Sequence, residues 1–332
     1  MILILSNRYD QTTIDIIKWL EHYNANWLKI SLDQVFFLQR KMDISVREDG
    51  NLSFKINLNN REIDLIRDTN VVLYRRWGAI DVESTWNLKE KLPIQVNKFL
   101  NDEYNAIVLT LIKALNKKKW ISHPNTSSVN KIKVLELAKN LDLNIPDFII
   151  SNNFEQINLF YNKNNTKIIL KPVFETGDFN IDDEYYPQYN ILLSENLLKN
   201  MKKKNYLFPL LFQEYIEKDF EIRTFILEDK LYSIAIFSQQ NNRTIVDYRN
   251  YSPTDSNRNV AYKLPKMIES KLLKLMKLLN LDTGSVDIIK SKDNKYYFLE
   301  VNPVGQFGEL SRVGNYYIER EIASLLLKYK KN

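Results

Sequence analysis

With 332 residues, 44% of them hydrophobic and 12% aromatic, the chain has the composition of a folded protein with room for two or three packed units, not of a disordered one. It has no cysteine and two histidines, His22 and His123, which excludes disulfides, thiol nucleophiles and zinc-thiolate sites and leaves too few imidazoles for a histidine metal cluster. Forty-seven Lys and Arg against 41 Asp and Glu give a formal charge of +6, an excess compatible with nucleotide, nucleic acid or acidic peptide and selective for none.

Ile2 to Ser6 reads as a buried strand, Gln11 to Tyr23 places Ile14, Ile17 and Leu20 at helical spacing, and Trp27 to Leu32 is a second strand. This is a strand-helix-strand opening, and its loop SNRYDQT has no glycine and so lacks a dinucleotide fingerprint. The apolar start MILIL is too short for a signal peptide, and no apolar run approaches the ~20 residues of a membrane span, so a cytoplasmic protein without a membrane partner is expected. Asp49-Gly50, between Ile44 to Arg47 and Leu52 to Leu58, signals a hairpin. Val71 to Tyr74 is a strand ending in Arg75-Arg76-Trp77-Gly78, whose adjacent arginines point to opposite faces. From Leu88 to Lys119 a helical pattern, broken near Pro93, ends in the basic run Lys117 to Lys119, which suits a helix C-terminus.

A new region opens at His123-Pro124-Asn125. A helix from about Val129 to Leu141 carries Asn130, Lys131 and Lys133, and Phe148 to Ile150 is a strand. Ile168 to Lys171 ends a buried run on a lysine, a residue rarely buried without a partner. Glu175 to Tyr189 is irregular, acidic and aromatic, with Gly177 as its flexible point, and reads as a flap or a peptide-binding hairpin. Leu207 to Ile216 is a buried run ending Gln213-Glu214-Tyr215-Ile216. Glu221 to Leu227 and Leu231 to Phe237 form a hairpin with Arg223 on its first arm, Asp247-Tyr248-Arg249 follows in a polar loop, and Leu264 to Leu279 is an amphipathic helix.

The stretch from Gly284 to Gln306 is the one place where carboxylates sit inside an apolar strand pattern. GSVDIIK and KYYFLEVN flank SKDN, which reads as a hairpin with a four-residue loop. That loop pairs Lys290 with Lys295, sets Asp287 opposite Phe298 and diagonal to Glu300, and leaves Asp287, Glu300 and Asn302 on one face. A five-residue loop would turn Asp287 away. Two carboxylates and an amide among aromatic residues call for a cation, and oxygen-only ligands suit Mg2+. The alternative is a solvated strand face carrying ordinary surface acids.

Taken in order, Lys131, Lys171, Gln213 to Ile216, Glu221 seven residues after Glu214, then Asp287, Glu300 and Asn302 form a set that resembles the ATP-grasp superfamily of carboxylate ligases. The resemblance covers about His123 to Gln306. It implies an α/β protein of ATP-grasp fold, two lobes clamping ATP behind an N-terminal α/β domain: 1–122 for that domain, 123–205 for the central lobe and 206–332 for the C-terminal lobe. It further implies ATP and Mg2+, with Lys131 and Lys171 on phosphates, Gln213, Glu214, Tyr215 and Ile216 around adenine, Glu221 on the ribose hydroxyls, and Asp287, Glu300 and Asn302 on the metal.

One departure narrows the resemblance. Common ATP-grasp ligases carry a glycine-rich flap after the second lysine, whereas VFETGDFNIDDEYYPQY has one glycine. With Tyr74-Arg75-Arg76, Glu221-Ile222-Arg223, Asp247-Tyr248-Arg249 and Glu300-Val301-Asn302-Pro303 followed by Gly305-Gln306, the chain resembles the graspetide synthetases, the microviridin-type and grasp-with-spasm enzymes that modify ribosomal peptides. In that subgroup the segment recognises a leader peptide, which assigns Phe179, Asp182, Asp183, Glu184, Tyr185 and Tyr186 to the leader, unless these rings pack the flap onto its own domain. The implied reaction activates a core Asp or Glu as an acyl phosphate and joins it to a Thr or Ser hydroxyl or a Lys amine, with Arg223, Arg249 and Lys171 facing the developing charge. For Arg249 a loop ion pair with Asp247 is the alternative. A precursor peptide is the expected partner, a homodimer the expected assembly, and no nucleic acid is expected. Two other readings stand beside this one: a small-molecule carboxylate-amine ligase, and a non-catalytic nucleotide- or RNA-binding protein, the latter disfavoured by basic residues interleaved with acids.

Overall fold

The computed structural model describes all residues except 32–36, 38–39, 78–90, 175–178, 183, 187, 205, 252–255 and 332. Leu32, Gly78, Leu88, Glu175, Gly177 and Asp183, named above, lie outside the described residues. The chain forms two compact units, Met1–Ser127 with Tyr317–Asn332, and Ser128–Tyr316.

The first unit contains β1 (Ile2–Ser6), α1 (Gln11–His22), β2 (Trp27–Ile30), β3 (Met42–Val46), β4 (Leu52–Leu58), β5 (Arg61–Asp64), β6 (Val71–Arg75), α2 (Ile94–Ala114) and β7 (Lys119–Ile121), together with the C-terminal helix Ile318–Lys331. A parallel sheet of order β2-β1-β6-β7 sets Leu3 beside Leu28 and Val72, and a separate antiparallel sheet joins β3, β4 and β5. Ile2, Leu3, Ile4 and Leu5 are fully buried, as strands covered on both faces require. Asp10 caps α1 by accepting from the Thr13 amide at 3.2 Å and faces the buried Arg75 at 3.6 Å, while Arg76 is exposed with φ +46°, so the two arginines do diverge. The helical pattern expected to run to Lys119 stops at Ala114. Lys119 to Ile121 pair with β6 instead, burying Trp120 and Ile121, a tertiary pairing that local periodicity does not signal.

The second unit contains α3 (Lys131–Asn140), β8 (Phe148–Ser151), α4 (Phe154–Lys163), β9 (Ile168–Lys171), β10 (Phe179–Ile181), β11 (Glu184–Tyr186), β12 (Ile191–Leu192), α5 (Glu195–Lys202), β13 (Leu210–Glu214), β14 (Lys218–Leu227), β15 (Lys230–Phe237), β16 (Arg258–Tyr262), α6 (Lys266–Leu278), β17 (Thr283–Ser291), β18 (Tyr296–Asn302) and α7 (Gly308–Gly314). A four-stranded sheet of order β12-β9-β13-β8 buries one face under α4 and α5, where Ile157, Phe160 and Leu198 meet Ile168 and Phe212. A five-stranded antiparallel sheet of order β16-β15-β14-β17-β18 buries one face under α3 and α6, where Leu135, Leu272 and Met276 meet Ile222, Val286 and Phe298. β10 and β11 form a two-stranded ribbon.

Sequence order and sheet membership do not coincide here. β13, which falls after residue 205, pairs between β9 and β8, and α3, which falls before it, packs on the five-stranded sheet; residues 317–332 belong to the first unit. The period of two sends Lys171 and Gln213 to the face away from α4 and α5, and Glu221, Arg223 and Asp287 to the face away from α3 and α6; α7 packs on this second face over β15 and β16, where Phe307 at its start meets Phe225.

Candidate active site

The β17-β18 hairpin has a different register from the expected one. The Ser291 amide donates to the Lys295 carbonyl at 2.9 Å and Asn294 takes φ +65°, so the turn holds only residues 292–294; Lys290 pairs with Tyr296 and Ile288 with Phe298. A shift of one would carry Glu300 away from Asp287. A bulge between Phe298 and Glu300 inserts Leu299 and restores the face, so that Asp287 lies directly opposite Glu300, not Phe298, and Ser285 lies opposite Asn302. Phe298 and Val301 are both buried, at 1% and 4% exposure, which a strand of strict period two does not allow for residues at this spacing. Beyond Asn302, Gly305 lies so close to Ser285 that a Cβ would collide with its side chain, and the Ser285 hydroxyl donates to the Gln306 carbonyl at 3.0 Å, tying the end of β18 back to β17.

Cations surround the two carboxylates. Arg223 is the ladder neighbour of Asp287 on β14, with its guanidinium 3.8 Å from that carboxylate, and it also donates to the Tyr248 hydroxyl. Lys131 opens α3, whose N-cap Asn130 accepts from the Lys133 amide at 3.0 Å, and it reaches Glu300 at 3.3 Å. Lys171 ends β9 and donates to the Gln213 Oε1 at 3.2 Å. Burial pushes the Lys171 ammonium below its ordinary range while Glu300 opposes the shift. Glu300 is lowered, because Lys171 and Lys131 outweigh its burial; Asp287 is raised by burial and by Glu300 against the pull of Arg223.

Glu221 is buried, and its Oε1 accepts from Lys218 and, at 2.9 Å, from the Ser238 hydroxyl. Arg249 donates through Nε at 2.9 Å and Nη2 at 2.5 Å to Asp247, so the ion pair weighed as its alternative is formed; Glu300 also raises the Arg249 guanidinium, so its charge still bears on the carboxylates. Asp247 in turn accepts from the Asn190 amide at 3.1 Å and its side chain at 3.0 Å. Lys218, Asn190 and the Tyr248 hydroxyl were not singled out by sequence reasoning.

In the segment from Gln213 to Ile216, Gln213 lies on the Lys171 side, while Glu214 turns to the opposite face and accepts from the Asp147 amide at 3.1 Å. The amides of Glu214 and Tyr215 bond to the Asp147 and Lys167 carbonyls, whereas that of Ile216 enters none of the described backbone bonds. A cleft of about 430 Å³ runs along this segment, lined by Lys163, Lys167, Glu214, Tyr215, Ile216 and Tyr297 and not by Lys171 or Gln213, so it is separate from the carboxylate cluster. In the β10-β11 ribbon Phe179 pairs with Tyr186 and Ile181 with Glu184 across a turn containing Asp182. Tyr185 and Tyr186 are 63% and 44% exposed, and Tyr186 donates to Glu184 at 2.7 Å.

Among the described residues no three His, Cys, Asp or Glu cluster as a metal cage. Mg2+ does not need one: it takes one or two carboxylates and completes its shell with water and phosphate oxygens. Carboxylates directly opposed on paired strands repel each other, and burial raises Asp287, so the pair fits a hard divalent cation beside the present lysines and arginines.

No protein-family model matches the sequence, and no curated protein matches it. Solved structures do. A RiPP-associated ATP-grasp ligase of Chryseobacterium gregarium, in complex with ADP and a leader and core peptide, aligns with a TM-score of 0.85 at 22% identity over 98% of this chain and 96% of that one. The macrocyclase MdnC of Microcystis aeruginosa MRC, bound with precursor peptide MdnA, aligns at 0.81 and 25% identity over 98% and 99%. A D-alanine–D-alanine ligase of Bacillus anthracis aligns at 0.55 and 13% identity over 99% and 96%. The chain has the ATP-grasp fold, as its resemblance implied.

Proposed function

We propose that the chain is an ATP-dependent peptide ligase that activates Asp or Glu side chains of a ribosomal precursor peptide and joins them to Thr or Ser hydroxyls as ω-esters or to Lys amines as ω-amides, using ATP and Mg2+. One observation carries the reading: Asp287 and Glu300 stand on directly paired residues of the sheet face away from α3 and α6 and feel Lys131, Lys171, Arg223 and Arg249. With Asp247 on Arg249, four cations face three carboxylates, which still leaves net positive charge, the complement of a nucleotide's phosphates. The peptides held by the C. gregarium ligase and by MdnC, and the ADP in the former, support the same direction.

In this mechanism Lys131 and Lys171 bind phosphate oxygens, the Gln213 to Ile216 segment holds adenine, and Glu221 accepts from the ribose hydroxyls. Asp287, Glu300 and Asn302 would hold Mg2+, which when bound neutralises phosphate charge. A core carboxylate oxygen attacks the γ-phosphorus and ADP leaves, giving an acyl phosphate. The acceptor oxygen or nitrogen then attacks the acyl carbon, loses its proton, and inorganic phosphate leaves. Arg223 and Arg249, the latter oriented by Asp247, face the charge that builds on the tetrahedral oxygen. The leader lies on the β10-β11 ribbon, with Tyr185 and Tyr186 as anchors and Asp182 and Glu184 at the rim. The reading also takes the protein to be a homodimer with no nucleic-acid partner, and its need for ATP places it in the cytoplasm; among the described residues no helix is long and apolar enough to cross a membrane.

The test is incubation with ATP, Mg2+ and a precursor peptide whose core is rich in Thr and Asp or Glu. Loss of one water per ring by mass spectrometry, with ADP and phosphate formed in step, is the expected result. Turnover with free amino acids and no peptide would move the protein to the small-molecule ligases, and absence of any nucleotide turnover would leave only binding.

A further inference from the structure

Lys218 opens β14, and its side chain is only 2% exposed. Its ammonium meets Glu221 Oε1 and, at 3.2 Å, the Val246 carbonyl. Residues at this spacing on a regular strand point to opposite faces. Here they share one because Asp219 is an extra residue, a bulge between Lys218, which pairs with Ser291, and Phe220, which pairs with Lys290. Folding alone does not account for such an arrangement, since a buried ion pair stabilises little or nothing relative to apolar residues of the same size.

The bonds around Glu221 are one-sided. Lys218 and Ser238 both donate to Oε1, and among the described contacts Oε2 accepts none. Burial pushes the Glu221 carboxyl up, and Lys218 opposes that shift, which favours the charged form. The Val246 carbonyl belongs to a strap over residues 238–250 that is held at several points: Thr244 donates to the Ser238 carbonyl at 2.7 Å, Gln239 to the Ile245 carbonyl at 3.4 Å, and Tyr215 to the same carbonyl at 3.5 Å. The strap carries Tyr248, which accepts from Arg223, and Arg249.

We infer that Lys218 is a positioning residue for the nucleotide: it locks one carboxylate oxygen of Glu221 so that Oε2 is presented to a ribose diol, and it anchors the strap bearing Tyr248 and Arg249 to the same point. The inference rests on the ATP-dependent reading above. Lys218 touches no reacting atom and acts through Glu221 and the Val246 carbonyl. Its loss therefore alters how the protein distinguishes nucleotides by their ribose, which a purely structural role would not do.

The test is a binding cycle by calorimetry with ADP and 2′,3′-dideoxy-ADP on the whole protein. Wild type prefers ADP by about tenfold or more, the order expected for hydroxyl bonds to an ionised acceptor. Lys218→Met loses that preference and keeps its affinity for the dideoxy nucleotide, and Lys218→Arg, which retains the cation, recovers part of the preference. Should Lys218→Met fail to fold, Ser238→Ala, which removes one bond to Oε1 and leaves the ion pair, shows the same loss in smaller measure. Equal weakening of both nucleotides in Lys218→Met, or an undiminished preference in either variant, overturns the inference. A wild-type protein that binds no ADP overturns the ATP-dependent reading itself.

Discussion

Glu300 is kept ionised by its surroundings, since Lys171 and Lys131 outweigh the burial that would raise it. Replacing it by Gln removes the charge, leaves the volume, and takes from Lys131 its ion-pair partner and from Lys171 its strongest carboxylate neighbour, while the core contacts of Phe298 and Val301 on the other face stay in place. Glu300→Gln is therefore expected to lower the ligation rate about a hundredfold or more, with circular dichroism and melting temperature close to wild type. Wild-type turnover by the purified variant would remove Glu300 from the site. Lys171, Arg223, Asp287 and Glu300 are legible in the sequence because a charge inside an apolar strand is costly without a partner. Lys218 and Tyr248 are not. Lys218 becomes a neighbour of Glu221 only through a bulge, and Tyr248 meets Arg223 across a separation of 25 residues.

Elements were readable where one face is buried and misread where pairing at a distance decides. The hairpins of β14 with β15 and β17 with β18 follow from alternation and turn residues, but the bulges at Asp219 and Leu299 leave no periodic trace, and each reverses the facing of a charged side chain. Helices α4 and α5 went unread although Asn153 and Ser194 cap them, because both are short and lie between stronger strand signals. The β10-β11 ribbon is the element whose role is most open to direct test. A two-stranded ribbon buries little on its own, so exposed rings such as Tyr185 and Tyr186 are poor candidates for structural packing and good ones for a ligand contact. Substituting both by Ala is expected to weaken binding of a leader-only peptide about tenfold or more, with affinity for an ATP analogue unchanged, each titrated separately by calorimetry. Unchanged leader affinity would mean that the recognition surface lies elsewhere.

At the scale of the whole molecule, the two ends of the chain fold together. The C-terminal helix Ile318–Lys331 packs on α1 and β6, more than two hundred residues distant in sequence, and buries Ile318, Ile322 and Leu326 at 0%, 1% and 0% exposure. An amphipathic helix signals that a face must be covered and not by what, so sequence alone does not say that these residues pack with the first unit and not with the 206–316 stretch before them. Three buried aliphatic side chains contribute about 1.5–3 kcal/mol each, a large share of the margin by which a domain of this size is stable. Ending the chain at Tyr316 is therefore expected to unfold or loosen the first unit selectively. By amide hydrogen exchange, β1, α1 and β6 should lose protection while β14 and β17, whose core is built from α3 and α6, retain theirs. Equal loss in both units would show that they unfold as one cooperative body, and retained protection in β1 and β6 would show that the parallel sheet is stable without its last helix.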